Sequence, residues 1–293
     1  MGIVEKLKSI TDIHFKENED MSLKTSLKVG GKARYFVEPE SVRGLVEAIR
    51  LAKEENIEYK IVGNGTNLLI SDKGFSGLVA CTRNLNRVLL DKGEVIALCG
   101  TPLNRLVSFS LGCGRVGAEG LAGIPATVGG AICRNAGAFG YTVSDHLSEV
   151  TSVKDGEVIR RKKGECRFSY RKSVFLQNGE IIVSAKFHFP KKRESVKTDF
   201  AERRRKTQPI GRTCGSVFVN PPNVYAGKLI EDAGLKGLTV GGATVSDKHA
   251  NFIVTKDGAT AEDVYGLINE IKKEVFKKFG VKLAEEVEYV GEF

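Results

Sequence analysis

The sequence predicts an α+β protein of at least two domains. The chain has 293 residues, where one domain usually takes about 100–200. Amphipathic helical patterns stand near both ends, at 41–56 and 260–279. Short apolar runs bounded by polar turns fill much of the interval between them. Hydrophobic residues make up 41% of the chain, enough for ordinary buried cores and against large-scale disorder.

In the first helix Ser41 stands at the N-cap, and Val42, Leu45, Val46, Ile49 and Ala52 fall at helical spacing. Tyr59–Val62 then reads as a strand, Gly63-Asn64-Gly65-Thr66-Asn67 as a tight polar loop, and Leu68–Ile70 as a second strand. Residues 112–140 hold nine glycines in 29 positions, a density that weakens regular elements. Alternation across 156–189 reads as a β-region closed by Pro190. The basic run 191–206 reads as a solvated charged helix and marks a domain boundary near 195/196. Ser216–Val219 is strand-like and stops at Pro221-Pro222. Thr260 and Asp263 are spaced as a capping box, Val264, Leu267, Ile268, Ile271, Val275 and Phe279 form one helical face, and Gly280 ends it. A last strand is expected over 286–290.

Composition narrows the function classes. No stretch approaches the roughly 20 apolar residues that cross a bilayer, and residues 1–18 lack a signal peptide's apolar centre. A cytoplasmic protein that needs no membrane is expected. The six cysteines form no CxxC pair and the four histidines no HxxxH pattern, so no metal site is expected and the thiols are read as reduced and mostly buried. The net charge of +9 favours anionic partners. Nucleic acid is one class, but the basic run around 191–206 carries a single aromatic, Phe200, where single-strand platforms interleave several. Phosphorylated cofactors and substrates are the other class.

Five segments carry candidate chemistry. Gly63–Asn67 frees consecutive backbone N–H groups to cradle a diphosphate, although alone it reads first as a plain turn. Leu121–Ala131, continuing to Asn135–Ala138, combines many glycines with few charges and suits a flat aromatic cofactor lying on bare backbone. Tyr170-Arg171 offers a rigid bidentate fork for a carboxylate, or else a surface strand end. Ser216 stands in a turn before the strand-like run, with no GxSxG elbow around it. Glu285 and Glu286 are adjacent carboxylates at a strand start, and burial of Glu286 in a site would raise its pKa.

The run GIPATVGGAICRNAG at 123–137, the loop 63–67 and the segment TSLKVGG at 25–31 together resemble the UDP-N-acetylenolpyruvoylglucosamine reductase family. The stretches 226–237 and 245–254 do so as well, and the likeness runs from about residue 22 to residue 291. It implies a two-part FAD-binding domain of the vanillyl-alcohol-oxidase (PCMH) type over 1–195, with subdomains 1–82 and 83–195. A smaller α+β substrate-binding domain follows over 196–293. FAD is expected to be non-covalent, since no His or Cys sits in 63–67. The implied cofactor residues are Gly63, Asn64, Gly65, Thr66, Asn67, Leu68, Gly123, Ile124, Pro125, Thr127, Val128, Gly129, Gly130 and Asn135. The implied catalytic residues are Arg171, Ser216 and Glu286, with Glu285 a bystander. Tyr170, Asn220, Lys228, Lys236, His249 and Asn251 are implied to meet substrate.

The resemblance also implies a reaction. NADPH as co-substrate reduces the flavin, hydride passes to C3 of UDP-N-acetylglucosamine enolpyruvate, and Ser216 protonates C2. A monomer or weak oligomer is expected. Ala126 stands where the family often has Gly, and Thr255 where Asn is common. The short spacing between Arg171 and Ser216 marks the form without the family's insertion. Two rival readings are an FAD-dependent oxidoreductase of the same fold with another substrate and a basic nucleic-acid-binding protein. The second leaves the glycines of 112–140 unexplained.

Overall fold

The computed structural model describes residues 2–191 and 199–293. The expected domain boundary at 195/196, and part of the basic run, lie outside the described residues. The chain forms two compact units, and they do not follow it linearly. The first comprises 1–16, 35–64 and 77–203; the second comprises 17–34, 65–76 and 204–293. Among the described residues no helix is long and apolar enough to cross a membrane.

The first unit is built on two sheets. One has the strand order Ile13–Asp20, Lys32–Pro39, Phe75–Cys81, Tyr59–Val62, and its last two strands run parallel, with Val62 opposite Cys81. The helix Val42–Glu54 buries Leu45, Ala48, Ile49, Leu51 and Ala52, as its 3.6-residue period requires. Ser41 caps it, its hydroxyl accepting from Gly44 N–H at 2.9 Å. The second sheet is wholly antiparallel, in the order Glu157–Lys162, Leu147–Lys154, Ile181–Phe187, Glu94–Leu98, Val88–Asp91. It realises the β-region read over 156–189. Ion pairs cross it: Glu149 accepts from Lys162 and Lys186. Hydrogen bonds from these two ammonium groups hold the Glu149 carboxyl below its ordinary range despite burial.

The second unit packs the helices Ala226–Asp232 and Ala261–Phe279 with a three-stranded antiparallel sheet, Thr239–Val240, Ala243–Val245 and Ile253–Thr255. Val264, Leu267, Ile268, Ile271 and Val275 are buried, while Phe279 stays partly exposed at the helix end. Residues 68–70 pair in parallel with the C-terminal strand Glu288–Val290. The two strands flanking the 63–67 loop therefore do not form a hairpin; each has a distant parallel partner. Ser216–Val219 enters no sheet and makes only single bridges, Ser216 with Phe252 and Phe218 with Glu285.

The start of the helix Ala261–Phe279 is over-determined. Thr260 Oγ1 accepts from Asp263 N–H at 3.1 Å, and the Asp263 carboxylate accepts from Thr260 N–H at 3.0 Å and Gly242 N–H at 2.9 Å. Asp72 accepts from Ala261 N–H at 2.9 Å and Glu262 N–H at 3.0 Å. Orphan amides and the positive helix end are thus both met, and Gly280 closes the other end in a left-handed conformation, φ 68°. Asp72→Ala is expected to cost about 1–2 kcal/mol, read as a lower midpoint in urea unfolding. The Gly242 amide foremost, with Thr260, lowers the Asp263 pKa. Its stabilising contribution is therefore complete above the ordinary aspartate pKa and is lost as pH falls through the lower folded value. Asp263→Asn should flatten that acid-side loss in midpoints measured across pH.

Candidate active site

In the first unit the parallel strands Tyr59–Val62 and Phe75–Cys81 end side by side, so the residues after them meet. Gly63 and Asn64 follow one strand, and Thr82 and Arg83 follow the other. Arg83 Nη2 donates to the Asn64 carbonyl at 3.1 Å, which brings a half-buried guanidinium to the loop. Arg83 did not stand out in the sequence. Its signal was its place two residues past the end of a strand parallel to the one that carries the loop, since strand carboxyl ends gather ligands in sheets of this kind.

The second glycine segment lies against the first. Asn64 Nδ2 donates to the Pro125 carbonyl at 2.8 Å. A Cβ on Gly63 would stand 2.3 Å from Thr127 Oγ1, so only glycine permits this approach. The segment is also laid along residues 99–104: Leu103 N–H donates to Ala126 O at 3.0 Å, Val128 N–H to Thr101 O at 2.8 Å and Gly129 N–H to Cys99 O at 2.7 Å. Asn104 Oδ1, a second residue missed in the sequence, accepts from Gly123 N–H at 2.6 Å. Some of the glycine content therefore serves the protein's own packing: a Cβ on Gly129 would come within 3.0 Å of the Cys99 Cβ. Val128 is fully buried in the core, whereas Gly130 and Pro125 are exposed and Ile124 is half-buried.

The helix Val128–Arg134, capped by Thr127, ends at Asn135 in a left-handed conformation, φ 45°. Asn135 Nδ2 donates to Ser169 O at 3.0 Å, and Ser173 Oγ donates to Cys133 O at 2.7 Å. These bonds fasten the turn that presents Tyr170 and Arg171, whose flanks Ser169 and Lys172 exchange backbone hydrogen bonds at 3.1 and 3.2 Å. Arg171 is itself left-handed, φ 57°, which turns its side chain out of the strand direction. Its Nη2 donates to Gly137 O at 3.3 Å, and its guanidinium lies 5.2 Å from the centre of the exposed Tyr170 ring. Asn135 Oδ1 is buried and has no hydrogen-bond partner among the described residues.

The second unit holds Ser216, Glu286 and the remaining loop residues. Glu286 N–H donates to Val217 O at 2.7 Å and Val219 N–H to Ala284 O at 2.9 Å, so the Ser216 and Glu286 segments run side by side. Both residues are half-buried. The adjacent carboxylate Glu285 is engaged by Lys272 Nζ at 2.6 Å. Gly65 and Thr66 complete the loop. Asn67 Nδ2 donates to Glu286 O at 2.9 Å, and Leu68 is buried at the start of its strand.

The substrate-binding candidates in this unit divide by their partners. Both amide atoms of buried Asn251 serve Phe218: Oδ1 accepts its N–H at 3.0 Å and Nδ2 donates to its C=O at 2.8 Å. Asn220 Oδ1 accepts from Ala226 N–H at 3.0 Å and so starts the helix Ala226–Asp232. Lys228 pairs with Asp232, and Lys236 with Glu231. Burial first, with Lys236 assisting, lowers the His249 pKa below its ordinary value. His249 Nδ1 accepts from Asn251 N–H at 3.2 Å, so in the neutral ring the proton sits on Nε2.

Family models match the chain twice: an FAD binding domain over residues 33–161 and the C-terminal domain of UDP-N-acetylenolpyruvoylglucosamine reductase over 206–290. Curated proteins named UDP-N-acetylenolpyruvoylglucosamine reductase match nearly end to end. That of Caldicellulosiruptor bescii is 40% identical over 96% of this chain and 92% of its own; that of Carboxydothermus hydrogenoformans is 42% identical over 94% of each. Among solved structures the Thermus caldophilus reductase superposes with a TM-score of 0.82 at 32% identity, covering 95% of this chain and 100% of that one. BBE-like 1 of Physcomitrella patens shares the fold alone, with a TM-score of 0.50 at 15% identity over 65% of this chain and 45% of that one. These likenesses bear out the α+β flavoprotein fold expected from the sequence, and identity at this level over nearly the whole length places the chain in the UDP-N-acetylenolpyruvoylglucosamine reductase family.

Proposed function

We propose that the chain reduces UDP-N-acetylglucosamine enolpyruvate to UDP-N-acetylmuramate in peptidoglycan precursor synthesis, with NADPH as reductant and non-covalent FAD as cofactor. The observation that carries this reading is the pairing of the Ser216 and Glu286 segments, joined by the Glu286 N–H to Val217 O bond of 2.7 Å, in a chain of this family.

The residues present fit FAD. Gly63 and Asn64 lie against Pro125 and Thr127, which exposes bare backbone where a ring and a diphosphate need close approach. Arg83 adds positive charge beside that loop, and the buried Asn135 Oδ1 offers an acceptor that no described residue uses. Gly63 to Asn67 would hold the diphosphate by backbone N–H groups, and Gly123 to Gly130 would line the isoalloxazine. FAD, when bound, carries hydride from NADPH to C3 of the enolpyruvyl ether.

The chain's own groups then manage charge and proton. Hydride addition at C3 leaves negative charge on C2 and the carboxylate. Arg171 binds that carboxylate through its planar fork, and its fixed left-handed backbone sets the fork's direction. Glu286 stabilises the developing enolate by donating a hydrogen bond, an interaction stronger in the transition state than in the ground state. Ser216 Oγ–H delivers its proton to C2. Tyr170 stands beside Arg171, where it meets the enolpyruvyl group. Lys228, Lys236, Asn220 and the Nε2–H of His249 provide cationic and neutral donors for the uridine diphosphate. A cytoplasmic monomer or weak oligomer completes the proposal.

An absorbance spectrum tests the reading directly. The purified protein should be yellow, bleach on anaerobic NADPH and regain colour on UDP-N-acetylglucosamine enolpyruvate. Bleaching without recovery would keep the cofactor and discard the substrate; a colourless protein that FAD cannot reconstitute would discard both. Ser216→Ala should still bleach at the wild-type rate and lose the recovery step by about a hundredfold or more, as expected for a positioned acid. Normal recovery in that variant, measured by rapid mixing, would remove Ser216 from the mechanism.

A further inference from the structure

We propose that Asn67 is a positioning residue for Glu286, its side-chain amide holding the backbone of that residue rather than a cofactor phosphate. The inference rests on the role of Glu286 given above. The sequence groups Asn67 with the phosphate loop, but its carboxamide points along the chain to the C-terminal strand. Nδ2 donates to Glu286 O at 2.9 Å, and the Asn67 carbonyl accepts from Glu288 N–H at 3.0 Å.

The backbone ladder between the two strands begins only at Leu68 opposite Glu288. The Asn67 side chain extends that ladder past its last backbone pairing, to the residue that carries the chemistry. On its other side the Glu286 N–H is taken by Val217 O at 2.7 Å. Both polar groups of the Glu286 backbone are thus used, one by Asn67 and one by the residue next to Ser216. The Glu285 carboxylate is taken by Lys272 Nζ at 2.6 Å. With N–H and C=O both fixed, the Cα–Cβ direction of Glu286 is fixed relative to the Ser216 segment. Remove the Asn67 donor, and the Glu286 carbonyl loses that bond, while the backbone bonds of the 284–287 segment to residues 217–219 remain. Displacements of this kind, about 1 Å at a reacting group, cost on the order of a hundredfold.

The experiment compares Asn67→Ala, Glu286→Gln and the double variant with the wild-type holoenzyme. FAD affinity is measured by titration into apo-protein, and the two half-reactions by rapid-mixing absorbance. In Asn67→Ala, which keeps the backbone N–H that the phosphate loop offers and removes only the side-chain donor to Glu286, FAD affinity, the rate of bleaching and KM for NADPH should stay at wild-type values. Colour recovery with UDP-N-acetylglucosamine enolpyruvate, and kcat with it, should fall about tenfold to a hundredfold. Adding Asn67→Ala to Glu286→Gln should slow recovery no further, because both act through one carboxyl. Asn67→Leu keeps the approximate size of the side chain and removes the donor without adding charge; it should give the same split and serves if the alanine variant does not fold. A weakened FAD affinity that accounts for the slowing, an unslowed recovery, or additive losses in the double variant would each overturn the proposal. Wild-type recovery in Glu286→Gln alone would overturn the premise about Glu286, an outcome separable from all three.

Discussion

The arrangement of the second unit depends on how residues 216–219 are held. They enter no sheet, so no ladder supplies their hydrogen bonds, and buried backbone groups must be paired. Asn251 provides the pairing on one side by giving both amide atoms to Phe218, while its own carbonyl accepts from Val217 N–H at 2.8 Å. Residues 284–286 provide it on the other side. A buried carboxamide with both ends committed fixes a strand as firmly as a neighbouring strand does, and it leaves Ser216 at the edge of a rigid segment. Placing a reacting hydroxyl on such a segment, rather than on a free loop, is what a narrowly tolerant proton transfer demands.

Charge is handled in the same way, by prior commitment. Lys162 and Lys186 flank Glu149, Lys272 takes Glu285, and Arg161 with Ser152 meets buried Glu180. Burial alone would raise the Glu180 pKa, yet Arg161 and Ser152 outweigh it and hold the carboxyl low. These pairs use up cations on the fold itself. Each such pair cancels one charge of either sign and leaves the net excess of +9 unchanged, so what a ligand meets is set by position: Arg83 and Arg171 each stand at a turn that carries proposed chemistry.

Both long helices were legible because each declares itself locally, through period, N-cap and, at Gly280, a left-handed stop. The short strands were legible as strands but not as partners. Residues 59–62 and 68–70 look like the arms of one hairpin, yet parallel partners lie at 78–81 and 288–290, and nothing in a local window names a partner that far away. The glycine-rich segment announced close approach without saying to what. At Gly120 the neighbour is the Tyr141 ring, 2.2 Å from a would-be Cβ, so steric need within the protein accounts for it. Resemblance located Ser216, Arg171 and Glu286, residues whose local patterns read as ordinary turns and strand ends. Arg83 and Asn104 escaped both routes, because their significance comes from which strand ends meet.

The pairing of residues 68–70 with 288–290 also bears on how the chain is made. The two strands are separated by more than two hundred residues, and translation runs from the N-terminus. A nascent chain carries segments 17–34 and 65–76 long before the rest of their unit exists. The strand Glu288–Val290 is made more than two hundred residues after 68–70, so their ladder closes long after the first of them is made. Such long-range closure is slow, and until it occurs residues 68–70 present an unpaired apolar edge of the kind that associates with other chains. The segment that bears Glu286 is thus fixed well after residues 68–70 are made, and loss of residues 288–290 removes the partner on which an early-made part of the chain waits.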